Sequence, residues 1–179
     1  MERLYLLTGA AGYLGSNVAR ELVSCGAHVR GLVLPGDKAI KKLPEAMELY
    51  EGDVLDRASL RGFFEAPAGT ELYVIHCAGV VSIGWNYNKR VHAVNVEGTR
   101  NVVAQCVASK VKKLVYVSSV HAQRELPHGQ IITEESDFDP AQIKGFYGKT
   151  KAEASGIVMR AVREEGLDES LIHATASHG

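Results

Sequence analysis

Short apolar runs alternate with stretches of helical periodicity along the whole chain. LYLLT (Leu4–Thr8) is a compact apolar run that stops at glycines. YLGSNVARELVSCG (Tyr13–Gly26) then places Leu14, Val18, Leu22 and Cys25 on one helical face, with Gly26 as the stop. HVRGLVL (His28–Leu34) predicts a second strand closed by Pro35-Gly36, and the alternating MELYEGDV (Met47–Val54) a third. DRASLRGFFE (Asp56–Glu65) predicts a short helix with a capping Asp, and ELYVIHCAG (Glu71–Gly79) a fourth strand. A long helical pattern follows over about Lys89–Lys110, with Val91, Val94, Val102 and Cys106 supplying apolar positions. KLVYVSS (Lys113–Ser119) predicts a fifth strand, His121–Lys144 a loop, Tyr147–Glu165 a helix and LIHA (Leu171–Ala174) a sixth strand. Such alternation builds right-handed βαβ units, so the expected fold is α/β, a doubly wound parallel sheet with helices on both faces.

Composition narrows the function classes. The 179 residues suffice for one well-buried domain and are short for two. Hydrophobic residues make up 46% and charged residues 23%, an ordinary globular balance. A formal net charge of −1 gives no electrostatic case for nucleic acid or an anionic membrane. The apolar runs fall far short of the ~20 residues a membrane helix needs. MERLYLLTG lacks the apolar region and cleavage site of a secretory signal. The three cysteines, Cys25, Cys77 and Cys106, lack metal-ligand spacing and are expected to be reduced, buried thiols in a cytoplasmic protein.

The first strand runs into TGAAGYLG, with Gly9, Gly12 and Gly15 leading into the first helix. Glycines there allow a tight turn and a close approach of backbone N–H groups to a phosphate, and the helix N-terminus favours a pyrophosphate. The spacing is not G-x-G-x-x-G, so that fingerprint does not apply. A ribose 2′-hydroxyl is usually met by an acidic residue at the end of the second strand. Here that strand ends in Val33 and Leu34, with Arg30 inside it and Lys38, Lys41 and Lys42 beyond. The missing carboxylate and the nearby cations favour a 2′-phosphate, hence NADP over NAD, with Asp37 folding back toward a ribose as the alternative.

FYGKTKAEA (Phe146–Ala154) sets Tyr147 and Lys151 four residues apart, on one face of the expected helix. A free phenol titrates near ~10 and is a poor base at neutral pH. A cation within ~4–6 Å lowers that value by about one to three units, which would make the pair fit for proton transfer.

Taken in order, Thr8-Gly9-x-x-Gly12-x-x-Gly15, Asp53, HCAG (His76–Gly79), Asn95 in NVEGT, Ser118-Ser119 and Tyr147-x-x-x-Lys151 resemble the extended branch of the short-chain dehydrogenase/reductase superfamily. That branch holds NAD-dependent epimerases and dehydratases, dihydroflavonol-reductase-like and hydroxysteroid-dehydrogenase-like enzymes. The resemblance implies a Rossmann-like NAD(P)-binding domain over residues 1–179. It implies that Thr8, Gly9, Gly12, Tyr13, Leu14 and Gly15 hold the cofactor, that Asp53 and Val54 contact the adenine, and that Cys77, Ala78 and Gly79 line the cofactor. Asn95 would support the active site, Ser119 would bind the reacting oxygen, Tyr147 would move the proton, and Lys151 would serve both phenol and nicotinamide ribose. The implied activity is hydride transfer on a small-molecule carbonyl or secondary alcohol. A nucleotide-sugar epimerase or dehydratase is one alternative, and a non-catalytic dinucleotide-binding module is another. The family also pairs the Lys89–Lys110 and Tyr147–Glu165 helices in homodimers, although their apolar residues equally suit the core. The chain departs from the pattern at LIHATASHG, where Ala174 stands in place of a Pro and the C-terminal substrate domain is expected to be absent.

Overall fold

In the computed structural model, residues 2–82, 84–134 and 137–175 are described. The strands are β1 (Arg3–Thr8), β2 (His28–Val33), β3 (Glu48–Glu51), β4 (Glu71–His76), β5 (Lys113–Ser119) and β6 (Glu169–Ala174). They form one parallel sheet in the order β3-β2-β1-β4-β5-β6. The helices are α1 (Tyr13–Ser24), α2 (Arg57–Phe63), α3 (Lys89–His92), α4 (Thr99–Ala108) and α5 (Phe146–Glu165). The doubly wound α/β sheet expected from the alternation is therefore present.

Strand alternation divides the interior in two. On β1, Leu4 and Leu6 enter the core shared with α2, α4 and α5, where Phe63, Val102, Cys106, Leu114 and Val158 pack. Leu7 on the same strand points the other way, with Ala19, Val29 and Met47, into the core beneath α1. A period of two on a sheet covered on both faces produces this division directly.

Three local features differ from the expected ones. The long helix is not uniform: α3 passes through a π-helical turn, Ala93–Gly98, before continuing as α4. A short 3₁₀ helix, Lys38–Lys42, follows β2, and Asp37 caps it by accepting the Ala39 N–H at 2.8 Å. The cysteines are unpaired as expected, but only Cys106 is buried; Cys77 is partly covered and Cys25 is exposed at the end of α1. The terminal residues 176–179 lie outside the described residues.

Leu6, 0% exposed in the middle of the sheet, sets a packing test. Leu6→Ala is expected to lower the unfolding free energy by about 2–5 kcal/mol, as urea titration with an unchanged slope would record. Leu49→Ala, at a side chain 43% exposed on edge strand β3, is expected to cost under about 1 kcal/mol.

Candidate active site

The strand order reverses between β1 and β4, and the carboxyl ends of these strands open onto a cleft. Crevices of this kind are where open α/β sheets receive ligands. The floor is bare backbone. Gly9 has φ +68°, and a Cβ there would stand 2.6 Å from the Ala78 nitrogen. A Cβ on Gly15 would stand 2.1 Å from the Gly9 carbonyl oxygen, so the turn and α1 close only with glycine at that position. Gly12 caps α1 with no side-chain hydrogen bond, and the first turn of α1 contains no acidic residue. Its amides are thus left to the cleft.

Two adjoining cavities form the cleft. One, of about 270 Å³, is lined by Gly9 and Gly12, by Leu34 and Asp37 after β2, by Asp53 and Val54 after β3, and by Ala78 and Gly79 after β4. The other, of about 450 Å³, shares Gly9, Gly12 and Gly79. Tyr13, Leu14, Gly15 and Cys77 line its near wall, and Asn95, Ser119, Tyr147 and Lys151 its far wall.

Two candidates lie outside the lining of the cleft. Arg30 lines neither cavity. Its side chain turns back under the sheet, donating to Glu48 at 2.8 Å and to the carbonyls of Phe63 and Glu65 at 2.8 and 2.6 Å. Those carbonyls close the C-terminal end of α2, where a cation is favoured. Asp37, not Arg30, faces the cavity after β2. Thr8 is also absent from the lining, being fully buried below the floor.

From Thr8 a buried chain of hydrogen bonds crosses the domain. Thr8 Oγ1 accepts the Ala78 N–H at 3.3 Å and lies 2.6 Å from His76 Nδ1. His76 Nε2 lies 3.0 Å from Thr99 Oγ1, which donates to the Asn95 carbonyl at 2.7 Å. Each hydroxyl has one proton, so the directions follow. Thr99 spends its proton on Asn95 and must accept from Nε2–H. Nδ1 is then the acceptor, and Thr8 donates to it. Burial agrees with this neutral ring, pushing the His76 imidazole down to about 3, with the Lys151 charge adding to the effect. The chain continues through the Asn95 side chain. Its Oδ1 accepts the Val80 N–H at 2.7 Å, while Nδ2 donates to the Val80 carbonyl at 3.0 Å and to Thr150 Oγ1 at 3.1 Å. Thr150 in turn donates to the Tyr147 carbonyl at 2.7 Å.

Sequence reasoning named Asn95 and passed over His76, Thr99 and Thr150. The signal available was the i, i+4 pair Asn95 and Thr99, whose hydroxyl can back-bond the Asn95 carbonyl in a helix. In the structure this bond falls at the π-helical turn. Such turns recur at functional sites.

At the far wall the two serines are distinct. Ser118 Oγ lies 2.8 Å from Ser155 Oγ inside the fold. Ser119 Oγ accepts the His121 N–H at 3.2 Å, and its hydroxyl stands beside the Tyr147 phenol. Tyr147 stands half-buried, with the His121 ring edge-on at 6.2 Å between centroids. Lys151, 6% exposed, donates to the Val117 carbonyl at 2.7 Å and sits 4.7 Å from the Tyr116 ring centre.

The expected tuning of the phenol differs in this arrangement. Burial raises the Tyr147 phenol above its ordinary value, and a hydrogen bond from Ser119 draws it part of the way back. The Lys151 ammonium instead faces Val117, Tyr116 and Cys77, and burial lowers it to about 8.

A parallel sheet in this order with a glycine turn at its switch point is the fold of the short-chain dehydrogenase/reductase superfamily, to which the chain belongs. Within it, the chain belongs to the 3-beta hydroxysteroid dehydrogenase/isomerase family, whose model matches residues 6–169. The sterol demethylase protein B of Methylococcus capsulatus is 33% identical over 176 residues, covering 97% of this chain and 51% of that protein. The UDP-glucose 4-epimerase of Dictyostelium discoideum is 32% identical over 163 residues, covering 86% of this chain and 45% of that protein. Among solved structures, that of gox2253 superposes with a TM-score of 0.81 at 31% identity, covering 95% of this chain and 50% of the other. A short-chain dehydrogenase/reductase superfamily protein from Agrobacterium tumefaciens, solved with bound NAD, gives a TM-score of 0.74 at 26% identity, covering 95% of this chain and 48% of its own. The chain spans about half the length of the curated relatives it matches. Among the described residues, no helix is long and apolar enough to cross a membrane.

The buried imidazole generates a pH prediction. Unfolded, His76 takes up a proton as pH falls through 6.5; folded, it resists until about 3. A base whose folded pKa is depressed costs stability as pH falls, at up to about 1.4 kcal/mol per pH unit across that window. His76→Gln is expected to be less stable at pH 7, and its deficit relative to the unsubstituted protein should narrow between pH 6.5 and 4.5. Parallel stability curves for the two proteins would show that His76 is not the group responsible.

Proposed function

We propose that this chain binds a nicotinamide dinucleotide along the two-part cleft and presents Ser119, Tyr147 and Lys151 to a secondary alcohol or ketone. The observation that carries the reading is the continuity of the cleft: Gly9, Gly12 and Gly79 belong to both cavities, joining the glycine turn to the Ser–Tyr–Lys wall. The fit to a dinucleotide rests on the floor, where Gly9 and Gly15 let the turn and α1 close tightly on neighbouring backbone, and on the uncapped amides of α1. Asp53 and Val54 would flank the adenine, and Cys77, Ala78 and Gly79 the central stretch. Asp37 lines the cavity beyond β2 and Arg30 is committed elsewhere, so the reading favours NAD over NADP. The NAD in the related Agrobacterium structure supports the same choice.

When bound, the nicotinamide supplies or receives the hydride. The chain's own residues manage the proton. Ser119 Oγ, already accepting the His121 N–H, turns its hydrogen toward the substrate oxygen. The Tyr147 phenol, raised by burial, is protonated at neutral pH and suited to donate to a carbonyl oxygen. In the oxidative direction it must first be lowered, and Lys151 is a cation one turn away on the same helix. Sterol and steroid names among the family and its relatives support a ring hydroxyl or ketone as the substrate class. The Dictyostelium epimerase keeps a nucleotide-sugar reading open, which dinucleotide copurifying with the protein would favour.

Calorimetric titration with NADH and NADPH tests the cofactor reading. NADH is expected to bind more tightly, and Asp37→Ala should narrow the gap by about tenfold, the worth of roughly one charge-assisted hydrogen bond. Tighter binding of NADPH by the unsubstituted chain would reverse the preference.

Tyr147→Phe tests the chemistry. It should leave the NADH dissociation constant within about twofold, since the ring remains. Turnover across an alcohol and ketone panel, followed at the reduced-nicotinamide absorbance, should fall by about 10²–10⁴. Undiminished turnover would remove the phenol from the mechanism.

A further inference from the structure

Arg90 lies at the start of the helix that walls the first cavity. Asn88 fixes that start by accepting the Arg90 and Val91 N–H groups at 3.0 and 3.2 Å. Val91 then turns into the core at 2% exposure, while Arg90 and Val94, one turn on, face the cavity. Further along the same element, Gly98 packs so closely on Val54 that an added Cβ would stand 2.7 Å from its Cγ2. The wall thus runs from the Asp53-Val54 turn at its closed end to the Arg90 guanidinium at its mouth.

The charges around this cavity are unequal. Of its lining residues, Asp37 and Asp53 are acidic and Arg90 alone is basic. Each carboxylate already accepts one backbone N–H, from Ala39 at 2.8 Å and Leu55 at 2.9 Å. The Arg90 guanidinium has no hydrogen bond or ion pair among the described residues. An anionic ligand entering here meets two carboxylates and one uncommitted cation. A planar guanidinium is also the side chain best suited to lie on an aromatic ring while its charge serves a neighbouring phosphate.

We propose that Arg90 is a binding residue for the adenosine diphosphate half of the dinucleotide, closing the open side of the adenine slot and supplying the cleft's counter-charge to the phosphates. The assignment rests on the dinucleotide reading above. It gives the cleft a cation that neither Arg30 nor the glycine turn provides, and it makes binding at this end sensitive to salt.

The experiment is calorimetric titration of the full chain and of Arg90→Gln and Arg90→Lys with NADH, ADP and reduced nicotinamide mononucleotide, at low and moderate ionic strength. Circular dichroism and melting temperature check that each variant is folded. Arg90→Gln is expected to weaken NADH and ADP by about tenfold, as loss of a cation–π and charge contact implies, and to leave the mononucleotide within about twofold. Arg90→Lys should recover part of the loss at low salt and less at moderate salt. An NADH affinity unchanged within twofold in Arg90→Gln overturns the proposal while the dinucleotide reading stands, and so does equal weakening of the mononucleotide. Failure of the unsubstituted chain to bind NADH or ADP overturns the dinucleotide reading itself, and the role of Arg90 with it.

Discussion

The proton on His76 Nε2 is the constraint from which the rest of the site follows. With it in place, every hydroxyl from Thr8 to Thr99 has one possible direction, and the ring cannot take a second proton without losing a partner in a fully buried setting. Apolar packing alone would not fix this geometry, because cores accept altered side chains of similar volume at modest cost. A satisfied buried polar network is stricter, since any misplaced member leaves an unpaired group in low dielectric. Here the network ties the strand feeding the glycine turn to the helix bearing Tyr147 and Lys151, by way of Asn95 and Thr150. The two ends of the cleft are therefore held in register by hydrogen bonds.

Lys151 shows a different use of burial. Among the described residues its ammonium has a carbonyl and a ring face for partners and no carboxylate. An ion pair would hold it more firmly and would also neutralise it. The carbonyl and the ring compensate desolvation only in part, which is why the group is lowered to about 8. A cation held this way keeps most of its charge at neutral pH. On the proposed function, this is what a lysine serving both a phenol and a ribose requires. The resting position toward Val117 and the raised Tyr147 phenol then describe one state of the site before a ligand arrives.

The sheet was legible in the sequence because apolar alternation and flanking glycines are local. β5 coincides with KLVYVSS, and its two serines already sat at the strand's carboxyl end. The π-helical turn was not legible, since Ala93–Gly98 has the same apolar periodicity as the helix around it. Arg30 misled for a related reason. Its place in the strand was right, but its direction depended on the C-terminal carbonyls of α2, which are remote in sequence. Asp37 depended on the path of the chain after Pro35-Gly36, which brings a carboxylate back over the cleft where strand spacing alone puts Val33 and Leu34.

The cleft's two ends also differ in how they can change. At the Ser–Tyr–Lys end Asn95, Ser119 and Lys151 are buried, and each is bonded to backbone in or just after a strand. Substitution there disturbs partners on other elements, so effects should couple. At the adenosine end Asp37 leads a short 3₁₀ helix and Arg90 a short capped helix, both near solvent. Charges placed there alter ligand preference without touching the buried chain. On the proposed function, a fold arranged in this way can exchange one dinucleotide or substrate for another at its rim while the Ser–Tyr–Lys wall stays as it is.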